Sequence, residues 1–379
     1  MKNVDMDDTE IKEEIEMEKE IEDQSDGPSD PIMSDPFDPT KIQIQSKPDT
    51  MRNIIERLKR DEIDMNTDFQ RHADLWTAAK MSRLIESILI RFPLPAFYFD
   101  VSDDDNWLIV DGLQRLSSIR KFAVDKKLKL SGLEYLHPLK GKSYDDLPRQ
   151  YKRRIDECPI TMFQIMPGTP KEVKYSVFRR INTGGLVLNN QEIRNALAKD
   201  KERGFLQKLT QNKYLLKSIG DQSRRMTDQE LILRFIAFYK SDFVVSKMSI
   251  ATFLDTAMGR LAKINESSLD KIEDTYNEAI KTCYSIFGEY AFEKKTIDDL
   301  KRKRKNSTLF EVWMVSVARL DENQRAQLVE RNKKVKKKFS DLIKDEEFYR
   351  SISLATQKHD HVKTRYKKIE HLIQEVLSD

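Results

Sequence analysis

The chain contains little cysteine and no long apolar run. Only Cys158 and Cys283 occur in 379 residues, and they form no CxxC pair, so neither a disulfide framework nor a thiolate zinc site is indicated. No run of about 18 apolar residues appears, and the first twenty residues lack the apolar core of a signal peptide. A reducing compartment, no membrane span and a cytoplasmic location are therefore expected.

Glycine and proline are also scarce. The chain has 11 glycines and 12 prolines, whereas 35% of its residues are charged. This balance suits long solvated helices better than an all-β sandwich. With 39% hydrophobic residues the chain can bury a sizeable core, and its length favours about two domains. We predict an α+β protein with an excess of helix.

Acidic residues are concentrated at the start of the chain. Residues 1–38 hold fifteen Asp and Glu against three Lys, a balance of −12, and since the whole chain carries +3 the remainder carries +15. The first leucine is Leu58, so residues 1–40 are expected to form a disordered acidic tail. The tail either competes with nucleic acid for a basic body or only keeps the protein soluble. The basic runs 301–305 and 333–338 are likewise either solvated faces or nucleic-acid contacts.

Residues 41–198 show the pattern of an α+β domain. Apolar residues recur at helical spacing from Met81 to Leu89 and predict a helix. Short aromatic and β-branched runs at 96–100 and 107–110 predict a hairpin, and 160–166 predicts a further strand, with an irregular insertion at 126–150. Beyond these, residues 199–379 show only helical periodicity and are predicted to form a helical domain.

The most informative segment is Asp111-Gly112-Leu113-Gln114-Arg115, which joins a predicted strand to a predicted helix. Such a turn exposes backbone N–H groups at the positive end of a helix, which is an anion site. Gly112 would let the backbone approach a phosphate, Arg115 would donate to its oxygens, and Asp111 would hold a metal or orient a water. A structural salt bridge between Asp111 and Arg115 explains the same residues equally well.

Four segments occur in the order found in the N-terminal domain family of GmrSD-type restriction systems. They are Gln70-Arg71 with Trp76, SRLIESILIRFPLPAFYF (82–99), VDGLQRL (110–116) and FRRINTGGLVLNNQEIRNAL (178–197). The chain resembles this family from about Phe37 to Phe238. The family hallmark is usually written DGQQR, and Leu113 stands where the first glutamine would be. The chain therefore resembles a DGLQR branch, in which any hydrogen bond made by that glutamine is absent.

The resemblance implies a ParB/sulfiredoxin-like fold with a small mixed sheet, followed by an all-helical region. It also implies that the DGLQR turn binds the phosphates of an NTP of unspecified base, with Mg²⁺ as a further cofactor. The residues implied in catalysis are Asp111, Gln114 and Arg115. Those implied in binding the nucleotide are Gln70, Arg71, Gly112, Asn182, Thr183, Gly184 and Glu192.

Several of these binding residues also have structural explanations. Arg71 can stack on Trp76 and support its loop. The turn that begins at Asn182 can be a helix C-cap followed by a new N-cap. Glu192 can pair with a nearby arginine instead of contacting a metal or a water.

The sequence offers no ligand cluster for the metal of an HNH-type nuclease. The five histidines are His72, His137, His359, His361 and His371. His359 and His361 stand two residues apart and should lie on different faces of a helix. We therefore expect no protein-held metal site and no cutting activity from the chain by itself.

The favoured function is a nucleotide-binding regulatory protein of a bacterial DNA restriction or phage-defence system. NTP hydrolysis is open, because phosphoryl transfer needs positioning and charge neutralisation more than a nucleophilic side chain. Expected partners are DNA and a separately encoded HNH-type nuclease. The alternative is a non-enzymatic DNA-binding or adaptor protein whose DGLQR turn grips DNA phosphate.

Overall fold

The structure, a computed structural model, describes residues 42–65, 76–181, 189–296 and 304–378. These residues fall into two compact units, the first ending at Leu197 and the second beginning at Ala198. The predicted acidic tail, residues 1–40, lies outside the described residues. None of the helices in the described ranges is long and apolar enough to cross a lipid bilayer.

The first unit combines a small sheet with helices. Its strands are β1 (Ile44–Thr50), β2 (Ile63–Asp64), β3 (Phe97–Asp100), β4 (Trp107–Asp111) and β5 (Pro159–Ile165). Its helices are α1 (Met51–Lys59), α2 (Ala78–Leu89), α3 (Leu113–Ile119), α4 (Arg149–Asp156), α5 (Lys171–Ile181) and α6 (Asn190–Leu197). A π-helical turn at Arg120–Val124 continues α3, and a 3₁₀ turn lies at His137–Leu139.

The five strands form one mixed sheet in the order β1-β5-β3-β4-β2. β1 pairs antiparallel with β5, β5 parallel with β3, β3 antiparallel with β4, and β4 parallel with β2. The predicted hairpin is β3 and β4, and the further strand is β5, so both are confirmed. β1 was not predicted, because its polar sequence IQSKPDT is exposed along almost its whole length.

Helices cover both faces of this sheet. Along β4, Trp107 and Ile109 join the larger apolar cluster, which includes buried residues of α1 to α4. Val110, on the opposite face, packs with residues of α5 and α6, among them Phe178 and Ile193. Successive side chains of β4 therefore pack into two different apolar clusters, because they point to opposite faces of the sheet.

The insertion predicted over residues 126–150 has neither strand nor α-helix as far as Pro148, and its last two residues begin α4. It is firmly anchored to α2. Glu86 is 3% exposed, and its carboxylate accepts the backbone N–H groups of Glu134, Tyr135 and Leu136 at 2.9, 2.8 and 2.6 Å. Ser82 Oγ accepts the N–H of Ser131 at 3.0 Å. These bonds satisfy main-chain donors that an irregular segment would otherwise bury without partners.

Replacement of Glu86 by glutamine is expected to lower the free energy of unfolding by about 1–3 kcal/mol, because one acceptor oxygen becomes an amide group that can only donate. Burial by itself raises the pKa of Glu86, but the N–H groups of Glu134, Leu136 and Tyr135 bring it below its ordinary value. A carboxyl with a lowered folded pKa stabilises the protein above its unfolded pKa and loses that contribution as the pH falls through the folded pKa.

Denaturant unfolding at neutral and acidic pH measures this effect. The difference between Glu86→Gln and the wild type should be largest at neutral pH and should narrow in acid. Ser87→Ala, on the next residue of α2, is the control and should change stability little. Equal stability of Glu86→Gln and the wild type at neutral pH would contradict the anchoring role.

The second unit is helical throughout its described residues, apart from an isolated β-bridge between Glu293 and Lys305. Its α-helices are α7 (Asp200–Thr210), α8 (Lys213–Ile219), α9 (Thr227–Lys240), α10 (Phe243–Ser246), α11 (Ile250–Leu261), α12 (Glu266–Phe287), α13 (Ser307–Ala318), α14 (Glu322–Glu330), α15 (Asn332–Ile343), α16 (Glu346–Ser351) and α17 (His359–Ser378). The predicted helical region, and with it the α+β fold class, is confirmed.

Helix α13 is the centre of this unit, since its residues from Thr308 to Ala318 are all buried. It carries Glu311, whose side chain is 0% exposed and contacts two equally buried arginines. Arg234 Nε of α9 donates to Oε2 at 2.8 Å, and Arg365 Nη2 of α17 donates to Oε1 at 2.7 Å. Arg365 also donates to the carbonyl of Thr356 at 2.6 Å. The arrangement joins three helices through one carboxylate.

Candidate functional site

The DGLQR segment forms the predicted strand-turn-helix. β4 ends at Asp111, Gly112 is the N-cap, and α3 begins at Leu113. Gly112 has φ of +107°, a region that side chains disfavour, and a Cβ placed on it would lie 2.5 Å from Cδ1 of Phe97. Backbone conformation and the Phe97 ring therefore each require glycine here.

Arg115 lies beneath this turn, with a side chain that is 10% exposed. Its guanidinium donates to the carbonyls of Pro95 and Ala96, the latter at 3.0 Å, and to Oδ2 of Asp111 at 2.9 Å. The group also lies over the Phe97 ring, 4.4 Å from its centroid. The salt bridge that the sequence left as an alternative is thus formed, and the arginine additionally fixes the chain that enters β3.

Asp111 is more open than its partner, with 27% of its side chain exposed. Burial raises the pKa of its carboxyl, while the charge of Arg115 and the Gly112 N–H oppose that rise. The carboxylate is therefore held in one orientation at the end of β4, beside the first turn of α3. A fixed and partly exposed carboxylate can accept a proton from a water or contact a cation.

Leu113 has a role that sequence analysis did not find. Its half-buried side chain packs against both apolar clusters, the one shared with α1 to α4 and the one shared with α5 and α6. The position is therefore an apolar junction between the two faces of the sheet, and leucine fills it. Gln114, the next residue, lies in the first turn of α3 and is half-buried.

Glu192 caps helix α6. Its Oε2 accepts the N–H of Asn189 at 2.7 Å, and its own N–H donates to Oδ1 of Asn189 at 2.9 Å. This reciprocal pair is a capping box, and Glu192 is only 1% exposed. The helix N-terminus thus uses one oxygen of the carboxylate that sequence analysis assigned to the nucleotide.

The other predicted ligands lie outside the described residues. They are Gln70, Arg71, Asn182, Thr183 and Gly184. The described residues that flank them can be located. β2, which leads to Met65, runs parallel to β4, so both strands run towards the end of the sheet at which Asp111 lies. Leu113 packs on the cluster formed by α5 and α6, the two helices on either side of residues 182–188.

No group of three or more His, Cys, Asp or Glu side chains in the described ranges is arranged to hold a metal ion. The two histidines of α17 diverge as predicted. The ring of His359 packs edge-on against Phe243 at 5.1 Å, whereas Nδ1 of His361 lies 2.8 Å from the carbonyl of Leu354.

Comparison with known proteins agrees with the resemblance seen in the sequence. Residues 51–199 match the family model described as the N-terminal domain of the GmrSD restriction endonuclease. This is shorter than the resemblance to Phe238 suggested, but it includes the DGLQR turn and α6. Neither a curated protein nor a solved structure matches the chain. This match implies a context of DNA restriction and phage defence. Over residues 51–199 the chain is therefore similar to the N-terminal domain of the GmrSD restriction endonuclease.

Proposed function

We propose that the chain is a nucleotide-binding regulatory protein of a DNA restriction and phage-defence system. It acts in the bacterial cytoplasm on DNA, together with a separately encoded HNH-type nuclease. Its ligand is an NTP bound at the turn from Asp111 to Arg115, with Mg²⁺ as the accompanying cation. The family match supports the restriction context, and the geometry of the turn supports the site.

The observation that carries this proposal is the fixed carboxylate of Asp111 at the start of α3. Arg115 and the Gly112 N–H hold it in place, and it remains partly exposed. The start of a helix directs its first backbone N–H groups outwards, an arrangement that favours an anion. A carboxylate next to such donors can act on a cation or a water that accompanies a phosphate.

The residues then divide into two kinds of role. Asp111 holds the cation or orients the attacking water, and Gln114 acts from the first turn of α3. Arg115 fixes Asp111 and the entry to β3, and its remaining donor capacity serves the phosphates. Bound Mg²⁺ would neutralise phosphate charge.

The nucleotide is also bound by the residues that the resemblance to the GmrSD family implies. Gly112 allows the backbone to approach the phosphates, and Glu192 supports the site from the start of α6. The remaining ligands are the five outside the described residues, namely Gln70, Arg71, Asn182, Thr183 and Gly184.

Calorimetric titration with NTPs in the presence of Mg²⁺ tests the site. Arg115→Ala is expected to weaken NTP binding roughly ten- to a hundredfold, the loss that corresponds to about 1.5–3 kcal/mol for a charge-assisted contact. Asp111→Asn should retain binding within about tenfold, because it keeps the shape and changes only the charge, and it should lose turnover where the wild type hydrolyses NTP.

Arg120→Ala is a matched control. Arg120 follows α3 and forms an ion pair with the exposed Asp61 at 2.9 Å, so its loss should change neither binding nor stability appreciably. A melting temperature measured for each variant separates loss of ligand from loss of fold. Wild-type protein that binds no NTP at millimolar concentration, with or without DNA, would overturn the proposal in favour of the adaptor function.

A further inference from the structure

The insertion between α3 and α4 carries an excess of positive charge. Residues 126–142, KKLKLSGLEYLHPLKGK, contain five lysines and one acidic residue, Glu134. Glu134 pairs with Arg83 at 3.3 Å, and Lys126 pairs with Asp145 at 2.9 Å. The other four lysines are exposed and form no ion pair within the described part of the chain. These insertion lysines are Lys127, Lys129, Lys140 and Lys142.

The insertion lysines are directed outwards by the packing of their neighbours. Leu128 and Leu130 are 7% and 1% exposed, so the lysine that precedes each of them points to solvent. The N–H of Leu130 donates to the carbonyl of Lys142 at 3.0 Å, and the N–H of Gly141 donates to the carbonyl of Leu130 at 2.7 Å. These bonds bring the two lysine-bearing segments side by side.

The charges of two insertion lysines also act on the carboxyl of Asp146. Hydrogen bonds from Ser143 lower the pKa of Asp146 most, and the charges of Lys142 and Lys129 lower it further. That carboxylate is occupied by the N–H and hydroxyl of Ser143, at 2.9 and 2.6 Å.

The main chain that presents these lysines is held in place. Glu86 and Ser82 bind the insertion from α2, and the insertion's own Leu133 and Leu139 are buried. A loop that only kept the protein soluble would need neither this anchoring nor four cations of one sign without partners. An anchored cationic surface loses less conformational freedom when it binds a polyanion.

We propose that the insertion lysines form a binding surface for the sugar-phosphate backbone of duplex DNA. The partner is a polyanion because four exposed lysines, none of them in an ion pair within the described residues, lie close together on one anchored segment. It is DNA because the domain belongs to a restriction family, so the inference rests on the proposed function. Lysine is a flexible point charge that contacts phosphate without reading bases, so the surface binds independently of sequence.

The test compares two variants that lose the same charge. One carries Lys127→Gln, Lys129→Gln, Lys140→Gln and Lys142→Gln. The control carries Lys333→Gln, Lys336→Gln and Lys337→Gln on α15 with Lys367→Gln on α17, all exposed positions of the second unit. Affinity for one duplex of arbitrary sequence is measured between about 50 and 200 mM salt, the range in which phosphate contacts dominate the salt dependence.

A plot of log affinity against log salt has a negative slope, and its magnitude is expected to decrease by about 0.9 for each phosphate that the variant no longer neutralises. The slope of the insertion variant should therefore be shallower by roughly 3–4. Its affinity at 0.1 M salt should fall up to about tenfold for each of these phosphates. The control should keep the wild-type slope. Both variants should melt at the wild-type temperature, since no described ion pair is removed.

An insertion variant with the wild-type slope, or an equal loss of affinity in the control, would overturn the proposal. So would wild-type protein that prefers a single strand of the same length to the duplex. NTP binding, measured by calorimetry on the insertion variant, should remain unchanged. Loss of DNA binding with intact NTP binding supports the surface. Loss of NTP binding in the Arg115 variant concerns the nucleotide site alone.

Discussion

Glu311→Ala is expected to lower the free energy of unfolding by about 3–5 kcal/mol, because it leaves Arg234 and Arg365 charged and buried without their shared carboxylate. All three side chains are at most 3% exposed, so water cannot replace the missing carboxylate. The two carboxylate oxygens of Glu311 each accept from a different arginine, so both arginines lose a partner in this variant. This should be among the largest effects of a single substitution in the second unit.

Chemical denaturation followed by fluorescence measures this change in stability, because Trp313 lies on the same helix and is 1% exposed. The control is Glu370→Ala, which removes an exposed pair with Arg319 at 3.4 Å and should cost at most about 1 kcal/mol. Replacing all three buried residues by Met or Leu should restore much of the stability, because no charge is then buried. A Glu311→Ala protein within about 1 kcal/mol of the wild type would show that the buried arginines find other partners.

Gly112→Ala is expected to cost about 2–5 kcal/mol. The left-handed backbone contributes roughly 1–2 kcal/mol for a residue with a Cβ, and the forced contact with Phe97 contributes roughly 1–3 kcal/mol. The Phe97 ring is 0% exposed and cannot move aside easily. Because the displaced ring also supports Arg115, the proposed NTP binding should weaken together with stability.

Gly141→Ala is the matched control for backbone strain. Gly141 has φ of +80°, but a Cβ there would meet nothing within 4 Å, so only the left-handed cost should appear. Combining Gly112→Ala with Phe97→Leu should recover part of the additional loss of stability, since leucine is smaller at the point of contact. Equal losses in the two alanine variants would show that Phe97 does not restrict the turn.

Local patterns predicted much of the first unit. The stripe from Met81 to Leu89 became α2, and the aromatic runs on either side of residues 102–106 became the β3–β4 hairpin. The turn at Gly112 was also predictable, because a strand that ends at a glycine before a helical stripe has few other conformations. These features depend on neighbours in sequence, which is why the sequence reveals them.

Other features depend on partners far along the chain. β1 has no alternation of apolar residues, and it is a strand because it pairs with β5, more than one hundred residues away. Glu86 looks like a surface residue of an amphipathic helix until the insertion covers it, and the N–H groups that donate to it lie 48 to 50 residues later. Neither contact can be predicted from the pattern of neighbouring residues.

The candidate site also combines features set by neighbouring residues with features set by distant ones. The amino-acid sequence by itself determined that Asp111 ends a strand and that Arg115 lies one helical turn beyond the glycine, since both follow from short-range spacing. Only the tertiary structure decided what Arg115 contacts. The carbonyls of Pro95 and Ala96 come from 20 and 19 residues earlier, and the pairing of β3 with β4 brings them to the guanidinium. A side chain with several donors bonds to whichever acceptors the folded chain places around it, and the pattern of residues cannot specify those in advance.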